Sequence, residues 1–449
     1  MTPGAAVDDL KSLAERFVLF GRACGADEIE VGLGDDAEFE VDVRLGRIEN
    51  LVEADTRSMG LRVIKDGKTA FAGSSDLTPE TIEGLIRNAV RRAELASPDP
   101  CAGLPDSFSP AVDPAGLDLY DPAVAVLDPA EKIRLAMETE RIALSDSRIV
   151  NSHGSSCHTH EGVSVLSNSR GFLGAYRKTF AGLNVGLQAG ETDDLAEDFW
   201  FSSETHLDAL AGPEEIARTA VARTIRHLKP RKIETQKAPV VFEPLMTGQI
   251  LGFLFGCLTG TAVYQKSTFL GERLGDRIGR EAVTVIDDGL LPRGLGSSPF
   301  DSEGVPSRRT VVIENGVLKS FLCNTYAARK IGASSTGNAD GSGVGPGNFH
   351  LRPGGDAPEE IIRSTAKGLY LVRTLGQGFN PVTGDISLGA FGLWIENGEF
   401  AYPVSEITIS GNLGDFLMNI ERIGSDLIFN GSICGPTIKV SEMQIAGRS

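Results

Sequence analysis

The 449-residue chain has little of what most chemical sites are built from: six histidines, six cysteines, two tryptophans and 6% aromatic residues. Its cysteines (Cys24, Cys101, Cys157, Cys257, Cys323 and Cys434) are scattered, with no CxxC pair and without the density of a disulfide scaffold. Long hydrophobic runs are missing too. The most apolar stretch, Ile250 to Leu258, is about half of the ~20 residues that a membrane-spanning helix needs. The opening MTPGAAVDDLKSLAERF has no basic segment leading into an apolar one, so the expectation is a cytoplasmic protein with reduced thiols. Positive charge is short, 43 Lys+Arg against 61 Asp+Glu, for a net charge of −18. Without a dense basic block, such a chain is repelled by phosphate backbones and anionic lipid surfaces, which argues against direct nucleic-acid and membrane roles.

Glycine is the surplus: 53 residues, where the usual ~7% gives roughly 31. No collagen period or low-complexity tract absorbs them, so they belong at tight turns and close backbone approaches. Length at roughly 150 residues per domain, with 41% hydrophobic content, predicts two to three domains with substantial cores.

The pattern along the chain predicts an α+β protein. Residues 1–96 read as an N-terminal α+β subdomain with antiparallel hairpins. A helix capped at Asp8 or Asp9 carries Leu10, Leu13, Phe17 and Val18 and stops at Gly25; strands follow over Glu28 to Leu33 and Glu38 to Leu45. Lys65-Asp66-Gly67-Lys68 is a hairpin turn, and Thr78-Pro79 opens a second helix. Residues 97–128, with Pro98, Pro100, Pro105, Pro110, Pro114 and Pro122, read as an extended surface linker. Residues 129–230 read as a middle α+β subdomain: a helix from Asp128-Pro129, strands over Arg148 to Ser167, Phe172 to Ala189 and Asp198 to Glu204, and a helix over Pro213 to Leu228. Residues 231–449 read as a mostly antiparallel β domain. Its hairpins turn at Glu314-Asn315-Gly316 and Glu396-Asn397-Gly398, and short helices cover Gly248 to Leu258 and Pro358 to Lys367.

Few motifs carry chemistry. The run Gly341-Ser342-Gly343-Val344-Gly345-Pro346-Gly347 lacks the GK[ST] ending of a phosphate loop and opens no helix, so a flexible or substrate-facing loop is expected. Cys157-His158-Thr159-His160-Glu161 is the sole metal-type cluster. On a strand, His158 and His160 share a face and can offer two imidazoles to one ion, yet no third ligand is suggested nearby. No Ser or Cys sits in a nucleophile elbow. Asp287, Asp288, Asp301 and Glu303 fall in Gly-rich segments between strands, where carboxylates bind a cation or peptide amine, or simply make turns.

Three segments are recognisable together: VVFEPLMTGQILGFLFGCLTGTAVYQKSTFLGERLGDRI, VTVIDDGLLPRGLGSSPFDSEGVPSRRTVVIENGVLKSFLCNTYAARKIG and STGNADGSG, all within residues 240–343. With the pattern over Gly60 to Ala72, Asn168-Ser169-Arg170-Gly171-Phe172, Gly424-Ser425-Asp426 and Met443 to Gly447, the chain resembles the TldD/PmbA family, historically called modulators of DNA gyrase. In the TldD branch a helix carries HExxxH, two metal-binding histidines and a general-base glutamate. Here the matching helix reads Leu251-Gly252-Phe253-Leu254-Phe255-Gly256, so Leu251, Gly252 and Gly256 form a degenerate metal slot, and sliding the frame adds only Cys257. The chain therefore resembles the PmbA (TldE) branch. Cys434 falls near the carboxy-terminal cysteine ligand of the catalytic branch and is expected here as a buried thiol.

That resemblance implies the non-metal subunit of a cytoplasmic metalloprotease complex. Zinc would reside in a TldD-like partner, with none in this chain, and this subunit would shape a chamber and help bind unfolded peptides, with no catalytic residue of its own. Asp301, Glu303 and Asn338 are the expected cleft-lining residues. Two alternatives are a metallopeptidase in its own right, using His158 and His160, and a homo-oligomeric peptide-binding scaffold.

Overall fold

The computed structural model describes residues 3–447 apart from 107, 109–111, 192–194 and 377, with side chains from residue 7 onward. Pro110 lies outside the described residues. Six strands, β1 (Glu28–Arg44), β2 (Arg47–Lys65), β3 (Lys68–Ser74), β4 (Ile149–Asn168), β5 (Leu173–Ala189) and β6 (Ala196–Glu204), make one antiparallel sheet in the order β3-β2-β1-β4-β5-β6. Because β1 pairs with β4, the segments before and after the Pro-rich stretch share this sheet.

Helices cover one face of it. Ile29, Val31 and Leu33 of β1 pack under α1 (Pro3–Ala23) and α2 (Pro79–Leu95), and Phe39, Val41 and Val43 under α5 (Pro129–Ala143) and α6 (Pro213–Ile225). All six share one parity, so β1 is a single 17-residue strand; the sequence pattern splits it because Gly34 to Ala37 cross between the two helix pairs. The opposite parity, including Gly32, Gly34, Asp36, Glu38, Glu40 and Asp42, faces away from the helices.

The Pro-rich stretch is more than an extended linker. It forms two one-turn helices, α3 (Pro114–Leu117) and α4 (Pro122–Ala125), whose caps Asp113 and Asp121 accept from backbone N–H groups. It buries Leu104, Leu117, Leu119 and Val124, and Arg329 donates to the carbonyls of Cys101, Gly103 and Leu104. Apolar residues at intervals between the prolines anchor it.

Residues after the Lys229-Pro230 break form β7 (Gln236–Phe242), α7 (Pro244–Cys257), α8 (Gly260–Tyr264), β8 (Val285–Asp288), β9 (Arg309–Glu314), β10 (Val317–Leu318) and α9 (Thr325–Ile331). There follow β11 (Ala339–Asp340), β12 (Gly343–Val344), β13 (Phe349–Leu351), α10 (Pro358–Arg363), β14 (Lys367–Leu375), β15 (Asp385–Glu396), β16 (Glu399–Asn412), α11 (Leu413–Met418), β17 (Ile420–Ile423), β18 (Ile433–Cys434) and β19 (Ile438–Ala446). Strands β16-β15-β14-β7-β19 close into a barrel through the β16–β19 pairing, and a second sheet runs β10-β9-β8-β13-β18. Both anticipated hairpin turns are present, with Asn315 and Asn397 in the left-handed region ahead of glycine. Helix α7 packs Ile250, Leu251, Leu254 and Cys257 into the core shared with the barrel. The architecture is α+β, and no described helix is long and apolar enough to cross a membrane.

Candidate functional site

A cavity of about 600 Å³ lies where loops of the C-terminal half sit on the helix-free face of the first sheet. Its floor is Gly34, Asp36, Ser164, Tyr176 and Lys178, and its roof includes Asp287, Ser297, Asp301, Asn338 and Gly347. Glycines let the roof close. A Cβ at Gly296 would overlap the carbonyl of Gly347, and one at Gly347 would lie 2.9 Å from Gly289.

The structure brings Asp301 and Asn338 together on this cavity, but their polar atoms are occupied in holding loops. Asp301 Oδ1 accepts from the backbone N–H groups of Glu303 and Val305, and Oδ2 from that of Ala339, each at 2.9 Å. Asn338 Nδ2 donates to Asp287 Oδ2 at 2.7 Å and to Gly345 O at 3.0 Å, while its Oδ1 accepts from Thr336 Oγ1 at 2.7 Å. Asp287 Oδ1 in turn accepts from Gly347 N–H, so this pair sets the shape of the glycine-rich run. Burial pushes the Asp287 carboxyl up to about 6 and that of Asp301 up to about 7.

Glu303 sits behind the cavity. One oxygen caps α9 by accepting from Thr325 N–H at 2.8 Å, and the other accepts from Arg62 at 2.9 Å. Arg62 also reaches Glu30 at 3.3 Å, so one nearly buried guanidinium joins the first sheet to the C-terminal half. Arg62 lies inside the Gly60 to Ala72 pattern, the one sequence signal that marks it. Lys178 is a site residue that sequence reasoning missed. It donates to the carbonyls of Leu295 and Ser297 at 2.5 and 3.1 Å, and burial pushes its ammonium down to about 8. A single lysine on an alternating strand gives no signal in the sequence.

The degenerate slot on α7 is a different environment. Leu251 is buried with Thr247, Val285, Phe416 and Ile438 around a void of about 10 Å³, too small and apolar to hold a ligand. Strand β18 runs against the helix: a Cβ at Gly248 would lie 3.2 Å from Ile433 O, and one at Gly435 3.0 Å from Leu251 Cδ1. Cys434 thus comes beside α7 as a buried thiol, pointing its sulfur at Gly431 O, and burial raises its pKa. A Cβ at Gly252 or Gly256 would meet nothing within 4 Å. With no nitrogen or carboxylate donor at positions 251, 252 and 256, this slot does not fit a divalent cation.

His158 and His160 do share a face of β4, and each has a carboxylate of β1 for company. His158 Nε2 lies 3.1 Å from Glu38 and His160 Nε2 3.1 Å from Asp36, which raises the His160 pKa. Among the described residues no group of three or more His, Cys, Asp or Glu side chains is arranged to hold a metal ion.

Comparisons with known proteins agree along the chain. Profiles of the PmbA/TldA metallopeptidase match as domain 1 over residues 29–93, the central domain over 123–228 and the C-terminal domain over 235–447. Metalloprotease PmbA of Escherichia coli O157:H7 is 38% identical over 424 residues, covering 94% of this chain and 93% of the relative. The Metalloprotease PmbA homolog of Haemophilus influenzae is 34% identical over 93% of this chain and 92% of its own. The crystal structure of a proposed modulator of DNA gyrase from Bacteroides thetaiotaomicron superposes with a TM-score of 0.91 at 26% identity, over 98% of this chain and 99% of that one. TldE from Thermococcus kodakarensis shares the fold, with a TM-score of 0.87 at 23% identity over 97% of this chain and all of its own.

Proposed function

The chain belongs to the PmbA/TldD metallopeptidase family, and we propose that within it this protein is a TldE-like subunit without metal chemistry of its own. On this reading it works in the cytoplasm with a TldD-like subunit that carries HExxxH and the zinc, and it shapes a chamber for unfolded polypeptide. The observation that carries the proposal is the state of α7. The helix and Cys434 are adjacent, while the three positions that would supply ligands and base hold Leu251, Gly252 and Gly256. The cavity under Asp301 and Asn338 supports a binding role, because its exposed backbone and loop-fixed walls suit an extended chain that needs only main-chain hydrogen bonds. A net charge of −18 keeps polyanions away.

The test is to assay hydrolysis of an unfolded peptide by this protein alone, by a TldD-like protein alone and by the two together, with and without chelator. The expected result is no turnover by this protein alone, co-purification of the pair, and chelator-sensitive turnover by the complex above that of the TldD-like protein alone. Turnover by this chain alone, or failure of the two to associate on co-expression, overturns the proposal.

A further inference from the structure

A second and larger cavity, about 870 Å³, lies farther along the helix-free face of the first sheet. One side is acidic, with Glu40 and Asp42 of β1 and Glu49 of β2, and His153 and His158 of β4 lie between it and the far side, His158 directly across from Glu40. The other is aromatic. Phe180 of β5 lies 5.3 Å from the His158 ring, and Phe199 and Phe201 of β6 stack at 6.0 Å, with Phe199 44% exposed.

The carboxylates are not equivalent. Asp42 accepts from Asn50 Nδ2 and Ser156 Oγ, and Glu49 lies 4.0 Å from Arg44. Glu40 has no hydrogen-bond or ion-pair partner among the described residues, although it is only partly exposed. A free carboxylate opposite a wall of rings is complementary to a cationic head on an apolar stem: the stem covers aromatic surface while the head meets the carboxylate and the ring faces. Neither a neutral apolar ligand nor an anion satisfies both sides.

We propose that this cavity receives a lysine or arginine side chain of an extended polypeptide bound along the helix-free face. The proposal rests on the peptide-binding reading above and adds a preference for basic segments. Continuity favours a polypeptide over a small free amine. Asp36 lines the first cavity and Glu40 the second, and they stand four residues apart on one face of β1, about 13 Å at ~3.3 Å per residue. An extended chain crosses that span in about four residues. Between them the face carries Glu38 and His160, while Gly162 stands opposite Asp36 with the place of its missing side chain taken by Asp36 Oδ1 and the His160 ring.

The experiment measures, by fluorescence anisotropy, binding of a short unstructured labelled peptide with one central lysine, and of the same peptide with norleucine there. Both are titrated against the full chain and against its Glu40→Gln variant, with spermidine as competitor. The lysine peptide is expected to bind the native protein about tenfold more tightly than the norleucine peptide, and Glu40→Gln to remove that difference while leaving norleucine binding unchanged. The variant loses no internal contact, so circular dichroism should show it folded. Equal binding of the two peptides overturns the basic preference and leaves the peptide-binding reading standing. Binding of neither overturns both. Spermidine that binds by calorimetry in the absence of peptide binding overturns the polypeptide as occupant.

Discussion

The cavity under Asp301 and the slot beside α7 treat polar groups in opposite ways. In the cavity, carboxylates and an amide are buried but each oxygen has a donor, so polar chemistry is spent on fixing loops. In the slot, donors are absent at the ligand positions and the space is closed by Leu251, Phe416 and Ile438. The difference teaches that the shape of the cavity and the character of the helix are set by different side chains: loop-fixing carboxylates and an amide in one, close apolar packing in the other.

The contrast breaks most readily at Arg62, the ion that ties the cavity's rear wall to the first sheet. Arg62→Met leaves Glu30 and Glu303 facing each other in a buried space without a cation, which costs about 3–5 kcal/mol. Urea denaturation should show the loss, and a native-like midpoint would mean that the two halves are held mainly by their apolar contact at Phe172 and Phe300. Next in size is the slot itself. Leu251→His places a polar ring in an apolar site where Thr247 Oγ1 already lacks a partner, so a loss of about 2–4 kcal/mol is expected. Combining it with Gly256→His should not restore stability when zinc is added. A zinc-dependent rise in Tm would show that the slot has kept metal-binding geometry.

The sequence made the period-two strands, the Asx-Gly hairpins and the cap of α5 legible, because each depends on local residues: Asp128 accepts from Ala130 N–H, as its Asp-Pro signature implies, whereas Asp8 and Asp9, expected to cap the first helix, lie inside α1, which begins at Pro3, and Thr78 precedes α2 without a side-chain cap bond. It also marked α7 as an apolar helix, and Ile250, Leu251, Leu254 and Cys257 pack into the core. What it hid is set by contacts between distant segments. The continuity of β1 depends on two helix pairs that arrive later in the chain. Asp301 and Glu303 share a short stretch of sequence, yet one closes a loop over the cavity and the other reaches back to Arg62. The glycine surplus serves more than tight turns: Gly32, Gly34, Gly60, Gly162 and Gly182 lie on the helix-free face of the first sheet.

Protonation tests whether the cavity is anionic. Asp301 and Glu30 are pushed up to about 7 and Asp287 up to about 6, each chiefly by burial. Between about pH 4 and about 7 the folded chain then holds protons that the unfolded chain has released, so stability is highest at the acidic end of that window and falls as pH rises through it. A fall in the urea midpoint across the window is expected, and Asp287→Asn should flatten part of the slope. A stability that rises over the same range would mean that the N–H donors keep these carboxylates ionised, giving the cavity a fixed negative charge.

The smallest expected effect separates two explanations for glycine in α7. If Gly252 and Gly256 were needed for close packing, any side chain there would be harmful. Their Cβ positions are open, unlike that of Gly248, which would press within 3.2 Å of Ile433 O. Glycine inside a helix costs about 0.5–1 kcal/mol relative to alanine through the entropy of the unfolded chain. Gly252→Ala and Gly256→Ala should therefore each stabilise the isolated protein by about that amount, while Gly248→Ala gains less or loses, because β18 must shift to admit the methyl group. Thermal unfolding of the three variants, with and without the TldD-like subunit, reads the difference. Stabilisation in isolation together with weaker association would place the bare side of α7 against the partner, giving the glycines the space that histidine and glutamate fill in a catalytic relative.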